Sequence, residues 1–255
     1  MMHTAIARLF IGSMLLAGFG LIPTTAGGAT GMEVRYASGN ETVSGYLSMP
    51  DGQGSFPAII AIHEWWGLNE WMKSSADRMA DEGYIVLAVD LFRGKTAAGA
   101  EEAHGLSRSL SGEQALGDLM AAVAYMKSRQ DVRSDNIAAI GWSMGGGYAL
   151  TMALTVPDLA ACVINYGRLV TERASIDKIT CPILGIFGED DRSIPSRSVR
   201  AFGKACHDAG KSVDIHIYPD SGHAFMNENE KRGYNAGASD HAWTQIISFL
   251  ERTMK

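Results

Sequence analysis

Seven histidines, three cysteines and a single serine set in a G-x-S-x-G run are the residues of this 255-residue chain best suited to nucleophilic chemistry. The serine is Ser143, in Gly141-Trp142-Ser143-Met144-Gly145-Gly146-Gly147. An apolar run, Asn136–Ile140, precedes it as a short buried strand, and the small-residue run Tyr148–Leu154 follows as a helix. Strand, G-x-S-x-G and helix in that order form a sharp turn that lifts a serine hydroxyl clear of the strand ends. Gly141 and Gly145 suit that turn because a Cβ at either point would collide with the neighbouring strand or helix. A glycine-rich turn with an incidental serine is the plainer alternative. Gly146 and Gly147 weigh against it, since each costs about 1 kcal/mol relative to Ala inside a helix and is expected only where close packing requires it.

A serine hydroxyl attacks only if a base removes its proton. Among the histidines, His216 alternates with Ile215 and Ile217 and points off the core face of a strand, while His104, His207 and His241 fall on helices as ordinary surface residues. His63 ends a strand and is a weaker candidate. His223, in Asp220-Ser221-Gly222-His223-Ala224-Phe225, follows the last strand, where a loop can carry an imidazole back over the serine. The base needs an orienting carboxylate. Gly188-Glu189-Asp190-Asp191 follows another buried strand between Ser143 and His223, and spacing alone does not choose among its three acids. The order Ser, acid, His is that of one hydrolase architecture. An oxyanion hole is then expected from the backbone N–H of Met144 and, after the strand Ala58–His63, that of Trp65. Glu64 stands at that strand end beside Trp65 and Trp66; desolvation there would raise its pKa and make it a possible proton acceptor. An exposed strand-end acid is the alternative.

These residues need a scaffold that brings strand ends together. Glu33–Ala37 and Thr42–Met49 read as an antiparallel hairpin. Ala58–His63, Tyr84–Asp90, Asn136–Gly141, Ala160–Tyr166, Ile183–Gly188 and Val213–Tyr218 are short apolar runs, as parallel strands buried on both faces should be. Between them Met72, Ala76, Met79 and Ala80, then Leu116, Leu119, Met120, Val123 and Met126, then Val199, Phe202, Cys206 and Ala209, and last Trp243, Ile246, Ile247 and Leu250 keep helical stripes. The alternation predicts one α/β domain over residues 30–255, a mostly parallel sheet with helices on both faces. Such sheets bind ligands at the carboxyl ends of their strands.

Composition agrees: 46% of residues are hydrophobic and 20% charged, which suits one globular α/β domain. The net charge of −6 with no basic cluster argues against a nucleic-acid partner. Residues 1–29 stand apart. Arg8, an uncharged run Leu9–Ile22 and small residues around Ala26 and Ala29 form the pattern of a cleaved secretory signal. The run is too short for the roughly 20 residues of a membrane span. The mature protein is therefore expected to be periplasmic or secreted, off the membrane, and a monomer or small homo-oligomer. Cys162, Cys181 and Cys206 cannot all pair within one chain and read as small buried hydrophobes, with one disulfide left open. No His/Cys spacing suggests a metal, and no cofactor is expected.

The motifs together resemble the dienelactone hydrolase family, over almost the whole mature chain. His63-Glu64-Trp65-Trp66-Gly67-Leu68-Asn69-Glu70-Trp71, Asp90-Leu91-Phe92-Arg93-Gly94-Lys95, the elbow around Ser143, Gly188-Glu189-Asp190-Asp191 with Ile194-Pro195, and Gly222-His223-Ala224-Phe225 carry the likeness. The resemblance implies an α/β-hydrolase fold and selects Asp191 as the triad acid. It also implies a substrate pocket that includes Trp66 and an arginine approximated by Arg93. Family members usually have Cys where this chain has Ser143, and there Glu64 would take the thiol proton. A hydroxyl's higher pKa shifts that work to His223. A second arginine of the family would fall where Asn227 stands, and Arg168 could supply a replacement charge. The expectation is a serine hydrolase of small carboxylic esters or lactones acting through an acyl-enzyme, with an open site. The alternatives are a peptidase or acyltransferase on the same fold, or a binding protein that lost turnover when Cys became Ser.

Overall fold

The computed structural model describes Met1, Ala29 and residues 31–255, so the expected export signal lies outside the described residues. The strands are β1 Met32–Ser38, β2 Glu41–Ser48, β3 Phe56–Ile62, β4 Ile85–Val89, β5 Val132–Trp142, β6 Ala161–Asn165, β7 Ile183–Gly188 and β8 Val213–Tyr218. The helices are α1 Glu70–Asp81, α2 Ala100–Ser109, α3 Gly112–Ser128, α4 Met144–Thr155, α5 Arg173–Ile176, α6 Ser196–Asp208 and α7 Ala236–Met254.

All eight strands form one sheet in the order β1-β2-β4-β3-β5-β6-β7-β8. The hairpin β1–β2 pairs antiparallel, and β2 pairs antiparallel with β4; every other neighbour is parallel. Residues of β4 and β6 are buried throughout, which is why those strands read as unbroken apolar runs rather than alternating ones. Strand order reverses at β3, with β4 on one side and β5 on the other. That switch opens a crevice beyond the strands' carboxyl ends. Ile62 is level with Gly141, and Trp142 with Asn165, so the loops after β3, β5 and β6 emerge side by side.

Two starts differ from expectation by four residues, and other boundaries by one or two. β5 starts at Val132 rather than Asn136, because Phe56 N–H donates to the Asp131 carbonyl and draws the preceding chain alongside β3, with a register shift between Phe56 and Ala58. α4 starts at Met144, directly after Ser143, rather than at Tyr148. A Cβ on Gly145 would overlap the carbonyls of Ile62 and His63, and one on Gly146 would meet the Asn165 carbonyl. Only glycines let the first turn of α4 sit so close to the sheet. Cys162, Cys181 and Cys206 are buried free thiols, as small core residues should be.

Candidate active site

Ser143 lies between β5 and α4 with φ 52° and ψ −112°. That is a left-handed-side conformation costly for a residue with a Cβ. The turn is held from both sides: Ser143 N–H donates to the Asn165 carbonyl at 2.9 Å, and Asn165 Nδ2 donates to the Gly141 carbonyl at 3.1 Å. A Cβ on Gly141 would overlap Gly145. The hydroxyl is thereby presented to the crevice.

His223 approaches from the loop after β8, with Nε2 2.8 Å from Ser143 Oγ. Its Nδ1 lies 2.7 Å from Asp191 Oδ2. With Nδ1–H donating to the carboxylate, Nε2 carries the lone pair that accepts the serine proton. Asp191 Oδ1 accepts from Ser193 N–H at 2.7 Å and Ile194 N–H at 2.9 Å. Burial alone would raise the Asp191 pKa, but the bond and charge of His223 and these two N–H donors outweigh it and hold the carboxyl below its usual value. Glu189 and Asp190, by contrast, are exposed.

Trp65, in the loop after β3, donates its N–H to no protein acceptor among the described residues. Met144 is the first residue of α4, where an N–H has no partner within the helix. Both residues line the pocket with Ser143. Glu64 is buried. Its Oε2 accepts from Asn227 Nδ2 at 2.6 Å, whereas Oε1 and the nearby Tyr166 hydroxyl are buried without a well-formed hydrogen bond. Desolvation pushes the Glu64 carboxyl up to about 7, against the opposing pull of Asn227 and the His223 charge.

Ser143, Asp191, His223, Met144, Trp65, Trp66 and Glu64 therefore converge on one region. Arg93 does not, and its expected role in substrate binding is corrected. It sits at φ 55° in a turn whose Phe92 and Gly94 N–H groups donate to Asp90. From there Nη2 reaches Asp118 Oδ2 at 3.0 Å and Nη1 reaches Glu41 Oε2 at 2.9 Å. The guanidinium clamps the β4 loop to α3 and to the hairpin, away from the serine. His63 is likewise a buried structural residue: Nδ1–H donates to the Glu64 carbonyl, and Nε2 accepts from Leu91 N–H at 3.2 Å.

Sequence reasoning missed Tyr166, Arg192 and Arg232 as pocket residues. His104 of α2 is exposed, as its helix position suggested, and it stands edge-on to Trp65 at 4.7 Å among the residues lining the pocket. Tyr166, at φ 40° after β6, packs against the His223 ring at 5.4 Å. Arg192 and Arg232 join Arg168 on the pocket wall. Exposed loop arginines read as plain surface, and nothing local sets Tyr166 apart. Among the described residues no group of three or more His, Cys, Asp or Glu side chains is placed to hold a metal ion.

The sequence profile of the dienelactone hydrolase family matches residues 43–254. A Methylorubrum extorquens protein provisionally named carboxymethylenebutenolidase is 28% identical, covering 96% of this chain and 92% of its own. A Saccharolobus solfataricus protein with the same provisional name is 30% identical over 88% of this chain and 99% of its own. The crystal structure of a dienelactone hydrolase-like promiscuous phosphotriesterase from metagenomic libraries superposes with a TM-score of 0.82 at 22% identity, covering 90% of this chain and all of that one. Its fold is the α/β-hydrolase fold described above, and the chain belongs to the dienelactone hydrolase family.

Proposed function

We propose that the protein is a serine hydrolase of carboxylic esters or lactones that works through an acyl-enzyme. The observation that carries this is the unbroken relay from Ser143 Oγ through the His223 ring to Asp191 Oδ2, at 2.8 and 2.7 Å. Membership of the family, and relatives named for a lactone-opening activity, support the substrate class.

Ser143 Oγ attacks the carbonyl carbon while its proton passes to His223 Nε2. Asp191 stabilises the resulting imidazolium and keeps the ring in the correct tautomer. The oxyanion that forms is held by the N–H groups of Met144 and Trp65, whose fixed orientation requires no rearrangement as charge develops. Collapse breaks the bond to the leaving oxygen, which takes the proton from His223. Water then attacks the acyl-enzyme by the same route in reverse and frees the acid and Ser143.

Fluorophosphonate labelling tests the nucleophile. The expected result is stoichiometric modification of Ser143, with parallel loss of p-nitrophenyl acetate hydrolysis. An unlabelled protein that turns over no ester would instead favour a binding role. The export pattern of residues 1–29 further supports hydrolysis outside the cytoplasm. Mass spectrometry of protein from its native host should find an N-terminus near Gly27 or Thr30, and an intact Met1 in the soluble fraction would contradict export.

A further inference from the structure

The pocket above Ser143 has a volume of about 1350 Å³, larger than the roughly 300–1,000 Å³ typical of small-molecule sites. An acetyl group or a small lactone ring would leave most of it empty. Its walls are also of two kinds. On the side of the β7 and β8 loops stand charged residues, among them Asp190, Arg192 and Arg232. On the other side lies α4, which carries no charged residue from Met144 to Thr155.

A helix on the outside of a sheet normally turns an apolar stripe inward and a charged face outward. In α4 the sheet side is taken by Gly145, Gly146, Ala149, Met152 and Ala153. The other face, Met144, Gly147, Tyr148, Thr151 and Leu154, is only partly buried and lines the pocket. These positions follow the i, i+3, i+4, i+7, i+10 spacing of one face. They run about 15 Å from the nucleophile at 1.5 Å per residue. A Cβ on Gly147 would meet Arg168 of the loop after β6, so that loop borders the lane near its start, and Val170 and Ile194 add apolar surface to the same pocket. An open apolar face of this kind on a soluble protein marks a binding surface.

We infer that this lane along α4 binds an extended apolar acyl chain of up to about twelve carbons, the number that spans about 15 Å, which makes medium-chain acyl esters the substrate class. The assignment rests on the serine-hydrolase reading above. It also follows from the direction of proton transfer: the leaving oxygen must take its proton from His223, so it departs on the side of the charged β7 and β8 loops. The acyl portion then lies on the α4 side, continuous with Met144.

The test is a series of p-nitrophenyl esters from acetate to tetradecanoate, with the leaving group constant. The expected result is a rise in kcat/KM of roughly two- to fourfold for each added methylene, as burial of a CH2 group gives, up to a plateau near dodecanoate. Leu154→Gln, at the far end of the lane, should reduce the dodecanoate-to-acetate ratio about tenfold. Thr151→Trp should move the plateau to shorter chains. The ratios are internal controls, because a general loss of folded enzyme lowers every ester alike. Hydrolysis of acetate with no gain for longer chains would overturn the lane and leave the hydrolase reading standing. Ratios unchanged in both variants would also overturn it. No hydrolysis of any ester would sink both.

Discussion

Asn227 Nδ2 donates to Glu64 Oε2 at 2.6 Å, tying the loop after β8 to the loop after β3. The resemblance to the family would place an arginine at position 227. A guanidinium there would hold Glu64 ionised, whereas the neutral amide leaves a buried carboxyl whose proton is retained up to about pH 7. A raised pKa would favour Glu64 as a proton acceptor, but its Oε2 is bonded to Asn227 and the Ser143 hydroxyl is bonded to His223, so in the proposed mechanism proton removal falls to His223.

Stability should report this directly. The folded pKa of Glu64 is raised from 4.5 to about 7, so between those values the native state holds a proton that the unfolded chain has lost. Unfolding is then favoured as pH rises, and stability should fall across pH 4.5 to 7 by on the order of 3 kcal/mol from this group. Asp191 has the opposite sign. Its lowered pKa adds stability that is present above the ordinary carboxylate range and disappears in acid, as pH falls through the folded value. Urea midpoints of the wild type and Glu64→Gln at pH 5 and 7.5 separate the two groups. The wild type should lose stability over that interval and the variant should lose much less; equal slopes would remove Glu64 as the cause.

Backbone strain at the elbow gives a second measurement. Ser143 keeps a Cβ at φ 52°, which costs on the order of 1–3 kcal/mol, partly offset in any glycine variant by the extra freedom of its unfolded chain. Ser143→Gly should therefore melt about 2–4 °C above Ser143→Ala, with both variants inactive. Equal melting temperatures would mean that the turn is unstrained.

Arg93 supplies a third. Removing its guanidinium leaves Asp118, 2% exposed, without a counter-charge, and breaking such a pair costs about 3–5 kcal/mol when it is fully buried. Because Arg93 is itself 29% exposed, Arg93→Gln should destabilise by about 2 kcal/mol on that scale. The KM for a neutral ester should stay within twofold. A large KM rise with little loss of stability would restore the substrate-binding role that the sequence suggested.

The contrast between Arg93 and Ser143 shows what was legible in the sequence. Ser143 is marked by its immediate neighbours, since the strand, the glycines and the helix are all local. The same holds for the apolar runs that became strands and for the loops carrying Asp191 and His223. Asp191 stood out from Glu189 and Asp190 only through the family resemblance, because its partners, His223 and the N–H groups of Ser193 and Ile194, are set by how the loop folds back. Arg93 was misread for the same reason. Its partners Glu41 and Asp118 come from a hairpin and a helix distant in sequence, and no spacing rule joins them. Glu64 and Asn227 are 163 residues apart, and their bond exists only once the ends of β3 and β8 meet over one crevice.

The last prediction separates a site built for serine from a cysteine site that merely tolerates it. In a serine site the base must be a histidine polarised by its carboxylate, because only that pair removes a proton of such high pKa at useful rates. The 2.7 Å bond from His223 Nδ1 to Asp191 and the two N–H donors on its other oxygen supply the polarisation. Asp191→Asn should then lower kcat by about 10⁴, as loss of the correct tautomer does in serine triads. Glu64→Gln keeps the shape beside Asn227 and should cost less than about tenfold. Ser143→Cys should lower hydrolysis of an activated ester, because a larger sulfur does not fit where an oxygen is held 2.8 Å from His223 Nε2, and the Glu64 carboxyl that would receive a thiol proton is already bonded to Asn227. In a cysteine-adapted site the pattern reverses, with a gain for Ser143→Cys and a collapse for Glu64→Gln. Measuring all three variants on p-nitrophenyl acetate distinguishes the two, and that reversed pattern would refute a triad in which His223 takes the proton and Asp191 orients it.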